Sequence, residues 1–287
     1  MIYLLLFLLL SCSKNENPKP IEDVAIFENT PISYPVKPGK FDEASGIAIS
    51  KLNPGRIWVE QDSGNPPELI AIDTNANLVK KIPITGVTNR DWEDMSLAPG
   101  PEAGKNYIYL AETGDNNQKD SSYAFYRFLE PSISIDNITG VDKLSFKYPD
   151  GPHDAEGFFV SPSTKDIYII TKRDSQSRVY RLPYPQSIST ATTATYVGSL
   201  PFSGVTSAAI SADGSELMIK TYAAIYYWKR NGNETPETSL TKEPTKLGYQ
   251  MEQQGEAITF DEGNSGFYTL SEKPLLNPVN LNFYKRK

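Results

Sequence analysis

The chain has 287 residues, 35 of them acidic and 28 basic, for a net charge of −7. Aromatics reach 11%, and 19 Gly with 22 Pro are too few for a low-complexity chain, so the sequence encodes a globular protein with a sizeable core. A single Cys and a single His exclude an intrachain disulfide, a Cys-rich zinc site and a multi-histidine zinc centre, and the acidic balance argues against nucleic acid and for cations or basic partners.

Ile2 to Leu10 is an unbroken apolar run. As a helix it would span roughly 14 Å against about 30 Å of bilayer hydrocarbon, which is short for a membrane span and right for the core of an export signal. It ends in Leu9-Leu10-Ser11-Cys12, which resembles the lipobox of bacterial lipoproteins. The resemblance implies cleavage before Cys12, acylation of Cys12 and a membrane partner in a bacterial cell envelope, with the outer membrane as the expected location. It departs from that pattern in having no Lys or Arg ahead of the apolar run. Residues 1–11 are thus expected to be a signal peptide, 12–22 a polar tether and 23–287 one domain.

Beyond the tether, short alternating stretches separated by Gly, Pro, Asn and Asp read as strands, with almost no helical periodicity. Five segments share a shape, beginning at Ser45, Glu93, Glu156, Ser207 and Glu256, with spacings of 48, 63, 49 and 49 residues. Each is followed by turn residues and a more aromatic strand, starting at Ile57, Tyr107, Ile167, Leu217 and Phe267. A third strand often follows, as in Phe125-Tyr126-Arg127-Phe128. Repeats of this length and strand content predict an all-β fold, a β-propeller of five blades. Six blades, with an irregular one inside residues 116–150, is the alternative. The surplus in the second repeat, Asn116 to Asp150, is expected at the blade edge. Residues near Val24 to Tyr34 are expected to pair with the last blade and close the ring.

In a propeller the first strand of each blade lines the central channel. Ser45, Glu93, Glu156, Ser207 and Glu256 would then form one ring of oxygen ligands, and three carboxylates in a narrow channel repel one another unless they are protonated or hold a cation. With no Cys or second His, the set suits Ca²⁺, and Mg²⁺ less well. The second strands return to the same mouth, bringing Asp62, Glu112, Lys172, Tyr222 and Glu272 there. His153, three residues before Glu156, is expected at that mouth as a base or a ligand-orienting group.

The alternation of Ser and Glu on five inner strands resembles the calcium-dependent apyrase family, the soluble calcium-activated nucleotidases. The resemblance rests on Glu43-Ala44-Ser45, Asp91-Trp92-Glu93, Asp154-Ala155-Glu156, Thr206-Ser207 and Gly255-Glu256. It implies a five-bladed propeller with Ca²⁺ in the channel and Ser45, Glu93, Glu156, Ser207 and Glu256 as its ligands. Convincing counterparts of that family's other loop motifs are missing. Asn89-Arg90-Asp91-Trp92-Glu93-Asp94 and Gly114-Asp115-Asn116 are similar to patterns in secreted propeller proteins described as phytase- or esterase-like. The expected function is an extracytoplasmic binding or scaffold module with a small-molecule or polymer ligand at the channel mouth. A Ca²⁺-dependent phosphohydrolase, with Glu93 or His153 activating water and Lys172 holding phosphate, is the alternative, and a carbohydrate-binding or carbohydrate-active protein the third.

Overall fold

The computed structural model describes residues 26–231, 234–273 and 278–287. Cys12 and the expected signal and tether lie outside the described residues.

The chain forms a five-bladed β-propeller, with one antiparallel sheet per blade. Blade I comprises β2 (Ala44–Ile49), β3 (Arg56–Gln61), β4 (Glu68–Asp73) and β5 (Leu78–Pro83). Blade II comprises β6 (Trp92–Pro99), β7 (Asn106–Glu112), β8 (Tyr123–Leu129) and β9 (Asp142–Lys147). Blade III comprises β10 (Ala155–Val160), β11 (Ile167–Thr171), β12 (Arg178–Leu182) and β14 (Thr195–Ser199), while β13 (Thr192–Thr193) crosses to pair in parallel with β9. Blade IV comprises β15 (Val205–Ile210), β16 (Glu216–Thr221), β17 (Ile225–Lys229) and β18 (Thr245–Lys246), with the short helix α1 (Pro236–Leu240) before its last strand. Blade V comprises β19 (Gly255–Phe260), β20 (Gly266–Ser271) and β21 (Asn280–Lys285), and its outer strand is β1 (Ile32–Pro35) from the start of the domain. The register Ile32↔Phe283 to Pro35↔Asn280 closes the ring, as the sequence led us to expect.

Several strands are buried on both faces rather than on one. A blade packs on both faces, so β10, β16 and β20 are buried along their whole length. The buried apolar residues fall into five clusters, one at each blade interface. Phe125 and Phe146 of blade II meet Phe158 of blade III in one. Phe27, Ile258, Phe267 and Tyr284 meet Met218 and Tyr227 of blade IV in another. At about 1.5–3 kcal/mol for each large side chain removed from water, these interfaces are the main source of stability. The surplus of the second repeat forms the 113–122 and 130–141 connections. The second of these reaches blade I, where Ile138 bridges to Ile84 and Glu130 accepts from Ser50 Oγ (2.6 Å) and Trp58 Nε1 (3.1 Å).

Candidate metal centre

The inner strands β2, β6, β10, β15 and β19 pack side by side around the channel. Each carries a β-bulge at its first turn of pairing. A bulge inserts an unpaired residue and re-aims its side chain. The bulged residues are Ser45 in blade I, Glu93 with Asp94 in blade II, Glu156 in blade III, Thr206 in blade IV and Glu256 in blade V. The fourth equivalent position is therefore Thr206. Ser207 lies one residue further on, paired with Lys220, in register with Gly46, Gly157 and Ala257. The two hydroxyl residues adjoin each other, and only the hairpin register separates them.

The hydroxyls of this layer tie blades together. Ser45 Oγ donates to the Glu93 carbonyl (2.6 Å), Thr113 Oγ1 to that of Ala155 (2.7 Å) and Thr206 Oγ1 to that of Gly255 (3.3 Å). Ser207 Oγ donates to Asp94 Oδ2 (3.0 Å). The carboxylates Glu93, Glu156 and Glu256 are left as the charged part of the expected ring, each 5% exposed.

The segment Asn89 to Asp94 builds much of the site. Asn89 Nδ2 donates to the carbonyls of Gln61 (2.8 Å) and Asp62 (2.9 Å), fixing the β3–β4 loop, and its Oδ1 accepts from Trp92 N. Arg90 Nη1 donates to the Gly114 carbonyl (2.9 Å) and pairs with Asp120, which holds the 113–122 connection over the site. Trp92 is fully buried in the interface between blades I and II. Asp91 and Glu93 point into the mouth, where Asp62, Asp91 and Glu93 place carboxylate oxygens within 4.8 Å of one another. Glu93, Asp154 and Glu156 do the same. Gly114 makes this approach possible. A Cβ there would lie 2.1 Å from Glu93 Oε1 and 2.4 Å from Asp91 Oδ2.

Burial, and then the neighbouring charges of Glu156, Asp62 and Asp91, push Glu93 well above the usual carboxylate range. Asp62 and Asp91 are raised by burial first and by carboxylate neighbours as well. Glu272 is raised to about 7 by burial and by Glu256 and Asp62. Such shifts mark carboxylates that are buried and crowded together. Among the described residues Asp62, Asp91 and Glu93 have no ion-pair partner, and the Glu93 carboxylate meets no hydrogen-bond donor. The donor set is all oxygen, buried on one side and open on the other, and could hold a hard cation.

The other half of the ring carries its own cation. Lys172 Nζ pairs with Glu156 Oε1 and contacts Tyr222 Oη (2.9 Å), and Tyr222 Oη donates to Glu256 Oε1 (2.6 Å). Burial alone would lower Lys172, but Glu156 and Glu256 carry it far above its ordinary value, so it stays charged. Arg173 Nε lies 2.6 Å from Asp154 Oδ2, too oblique for a hydrogen bond. The charge of the mouth is thus lopsided, with cations towards blades III and IV and uncompensated carboxylates towards blades I and II.

His153 is buried, with its ring nitrogens facing Asp174 Oδ2 (3.1 Å), Asp150 Oδ1 (3.3 Å) and Tyr180 Oη (2.9 Å). Every polar contact of its ring is to these groups, and none is to Glu93, Glu156 or Glu256. Glu112 turns aside to accept from Asp91 N (2.9 Å) and to pair with Arg90, because it pairs with Trp92 in the register of Gln61, Thr171, Thr221 and Ser271, one residue before the positions of Asp62, Lys172, Tyr222 and Glu272. Asp91 and Asp154 flank the bulges and belong to the clusters, although the sequence shows them only as neighbours of ring residues. Their signal was the shared pattern of an Asp two residues before two of the three bulged Glu residues, in Asp91-Trp92-Glu93 and Asp154-Ala155-Glu156.

No protein-family model matches the chain, and no curated protein does. Solved structures of low similarity include an auxiliary nutrient binding protein from Bacteroides thetaiotaomicron. It has 11% identity and a TM-score of 0.47, over 91% of this chain and 73% of that one. Hydrazine synthase from Kuenenia stuttgartiensis has 11% identity and a TM-score of 0.40, over 85% of this chain and 62% of its own. A nidogen/laminin complex has 10% identity and a TM-score of 0.44, over 79% and 72%. The class, a five-bladed β-propeller, rests on the chain's own five sheets.

Proposed function

We propose that this protein is an extracytoplasmic binding module, tethered to a cell-envelope membrane through acylated Cys12, whose propeller carries Ca²⁺ at the channel mouth. The observation that carries this reading is the Asp62–Asp91–Glu93 cluster: three carboxylates within 4.8 Å, raised first by burial and then by neighbouring carboxylates, and in no ion pair among the described residues. The first cation belongs off the channel axis, because Lys172 already pairs with Glu156 there and reaches Glu256 through Tyr222. Ca²⁺ fits better than Mg²⁺, since ligands drawn from separate loops of two blades suit a flexible coordination shell. The ion would neutralise the cluster and join blade I to blade II. Its solvent side, with the half-exposed Arg90 and Arg173 nearby, is where a small-molecule or polymer ligand would meet the protein.

The phosphohydrolase reading is less well supported, because Lys172 and His153 are both committed to internal partners. The test is thermal unfolding of the full chain in detergent, with chelator and with Ca²⁺. Saturation to about 100 times Kd contributes about 2.7 kcal/mol, so the midpoint should rise by several degrees, and Glu93→Gln should abolish the rise. An unchanged midpoint in millimolar Ca²⁺ overturns the reading. Phosphate release from nucleotides or phosphate esters would restore the hydrolase in its place.

A further inference from the structure

The two carboxylate clusters share one residue. Glu93 belongs both to Asp62–Asp91–Glu93 and to Glu93–Asp154–Glu156, yet the five residues do not form one group within 4.8 Å. Ca²⁺–oxygen distances of about 2.3–2.6 Å require the ligands of one ion to lie within about 5 Å of one another. A single ion therefore cannot draw on all five in this arrangement. Two observations point to ligands beyond the crowding itself. Glu93 is 5% exposed and its carboxylate is unpartnered. Asp154 is 1% exposed, and its Oδ2 lacks a hydrogen bond despite the nearby guanidinium.

We propose that the mouth holds two divalent cations bridged by Glu93: an outer one on Asp62 and Asp91, and an inner one on Asp154 and Glu156. This rests on the reading that the mouth binds Ca²⁺ at all. Electrostatics permits the second ion. Beside the five ligands, Glu43, Glu256 and Glu272 act on the same cluster, against Lys172 and Arg173 paired into it and Arg90 acting on Asp91, so one divalent ion leaves the mouth acidic. The two sites differ in kind. The inner ligands are buried and two of them already face a cation, so the inner ion binds more weakly. The outer carboxylates are half-buried and unpaired, so the outer ion binds first and keeps coordination positions open to the mouth.

Equilibrium dialysis of the full chain against Ca²⁺, with the metal counted by mass spectrometry, tests this directly. Two ions per chain are expected for the wild type, one each for Asp62→Asn and Asp154→Asn, and at most one, weakly held, for Glu93→Gln. One saturating ion in the wild type overturns the second site and leaves the reading of the mouth intact. No bound ion overturns both. Two ions whose affinities are unaffected by Glu93→Gln overturn the bridge. The wild-type count needs no variant to fold.

Discussion

Asp94 Oδ2 accepts a hydrogen bond from Ser207 Oγ at 3.0 Å, joining blade II to blade IV across the channel. The same carboxylate accepts from Met95 N (2.8 Å) and Ala208 N (3.3 Å), and it is fully buried. Replacing it with Ala leaves these donors facing a void. Asp94→Ala should therefore cost about 3 kcal/mol in denaturant unfolding, and Asp94→Asn, which keeps one acceptor oxygen, visibly less. Equal losses from both would show that the cross-channel bond contributes little.

The raised carboxylates set a pH dependence. Burial holds Glu60, Glu93, Asp94 and Glu156 well above the usual range, and Glu272 is raised to about 7. An unfolded Glu titrates near 4.5. Between that value and about 7 the folded chain binds more protons than the unfolded one, so its stability falls as pH rises. Asp213, lowered to about 2, acts with the opposite sign, losing its contribution as pH falls through the region below 3.8. Metal-free protein should thus be most stable near the acid end of the range and decline from pH 5 to 7, with millimolar Ca²⁺ flattening the decline. Calorimetric midpoints across that window check this, and a metal-free midpoint that climbs from pH 5 to 7 counts against it.

Gly114 separates site geometry from fold. Its φ is not in the left-handed region, and the atoms nearest an added methyl belong to Glu93 and Asp91. Gly114→Ala should weaken Ca²⁺ at least tenfold while the chelated protein loses only about 1 kcal/mol. Unchanged calcium affinity in calorimetric titration would mean that these two carboxylates do not act together.

Much of this architecture is legible in the residues. The repeat of about fifty, the hairpin turns and the closing strand follow from local patterns: turn chemistry, strand composition and spacing. Thr206 could not be told from Ser207, because a one-residue slip is invisible without the pairing partner Lys220. The axial ring was only half legible. That Lys172 reaches Glu156 depends on two strand ends meeting in space, and the resulting shift of uncompensated charge to Asp62 and Asp91 has no linear signature. The apyrase resemblance implies the same blade count, and its ligand set differs from the bulged positions at one residue, Ser207 for Thr206.

Lys172 offers a way to reverse that asymmetry. Lys172→Met leaves Glu156 and Glu256 without their cation, and breaking such a buried pair should cost the metal-free protein about 3 kcal/mol. Ca²⁺ should then stabilise the variant more than the wild type, because the axial carboxylates become available to it. Equal stabilisation of both proteins in thermal unfolding would indicate that Lys172 does not compete with the metal.

His153 provides the complementary control. Its ring is held by Asp150, Asp174 and Tyr180, so His153→Ala should lower stability by about 1–3 kcal/mol without changing calcium stoichiometry. A lost calcium ion would bring His153 into the site.

The most direct test of the account is an anomalous-scattering map from crystals of the protein grown with Ca²⁺. The account predicts a peak about 2.3–2.6 Å from the carboxylate oxygens of Asp62, Asp91 and Glu93, displaced from the channel axis towards blades I and II. A peak on the axis between Glu156 and Glu256, or none near Glu93 at saturating Ca²⁺, would contradict it.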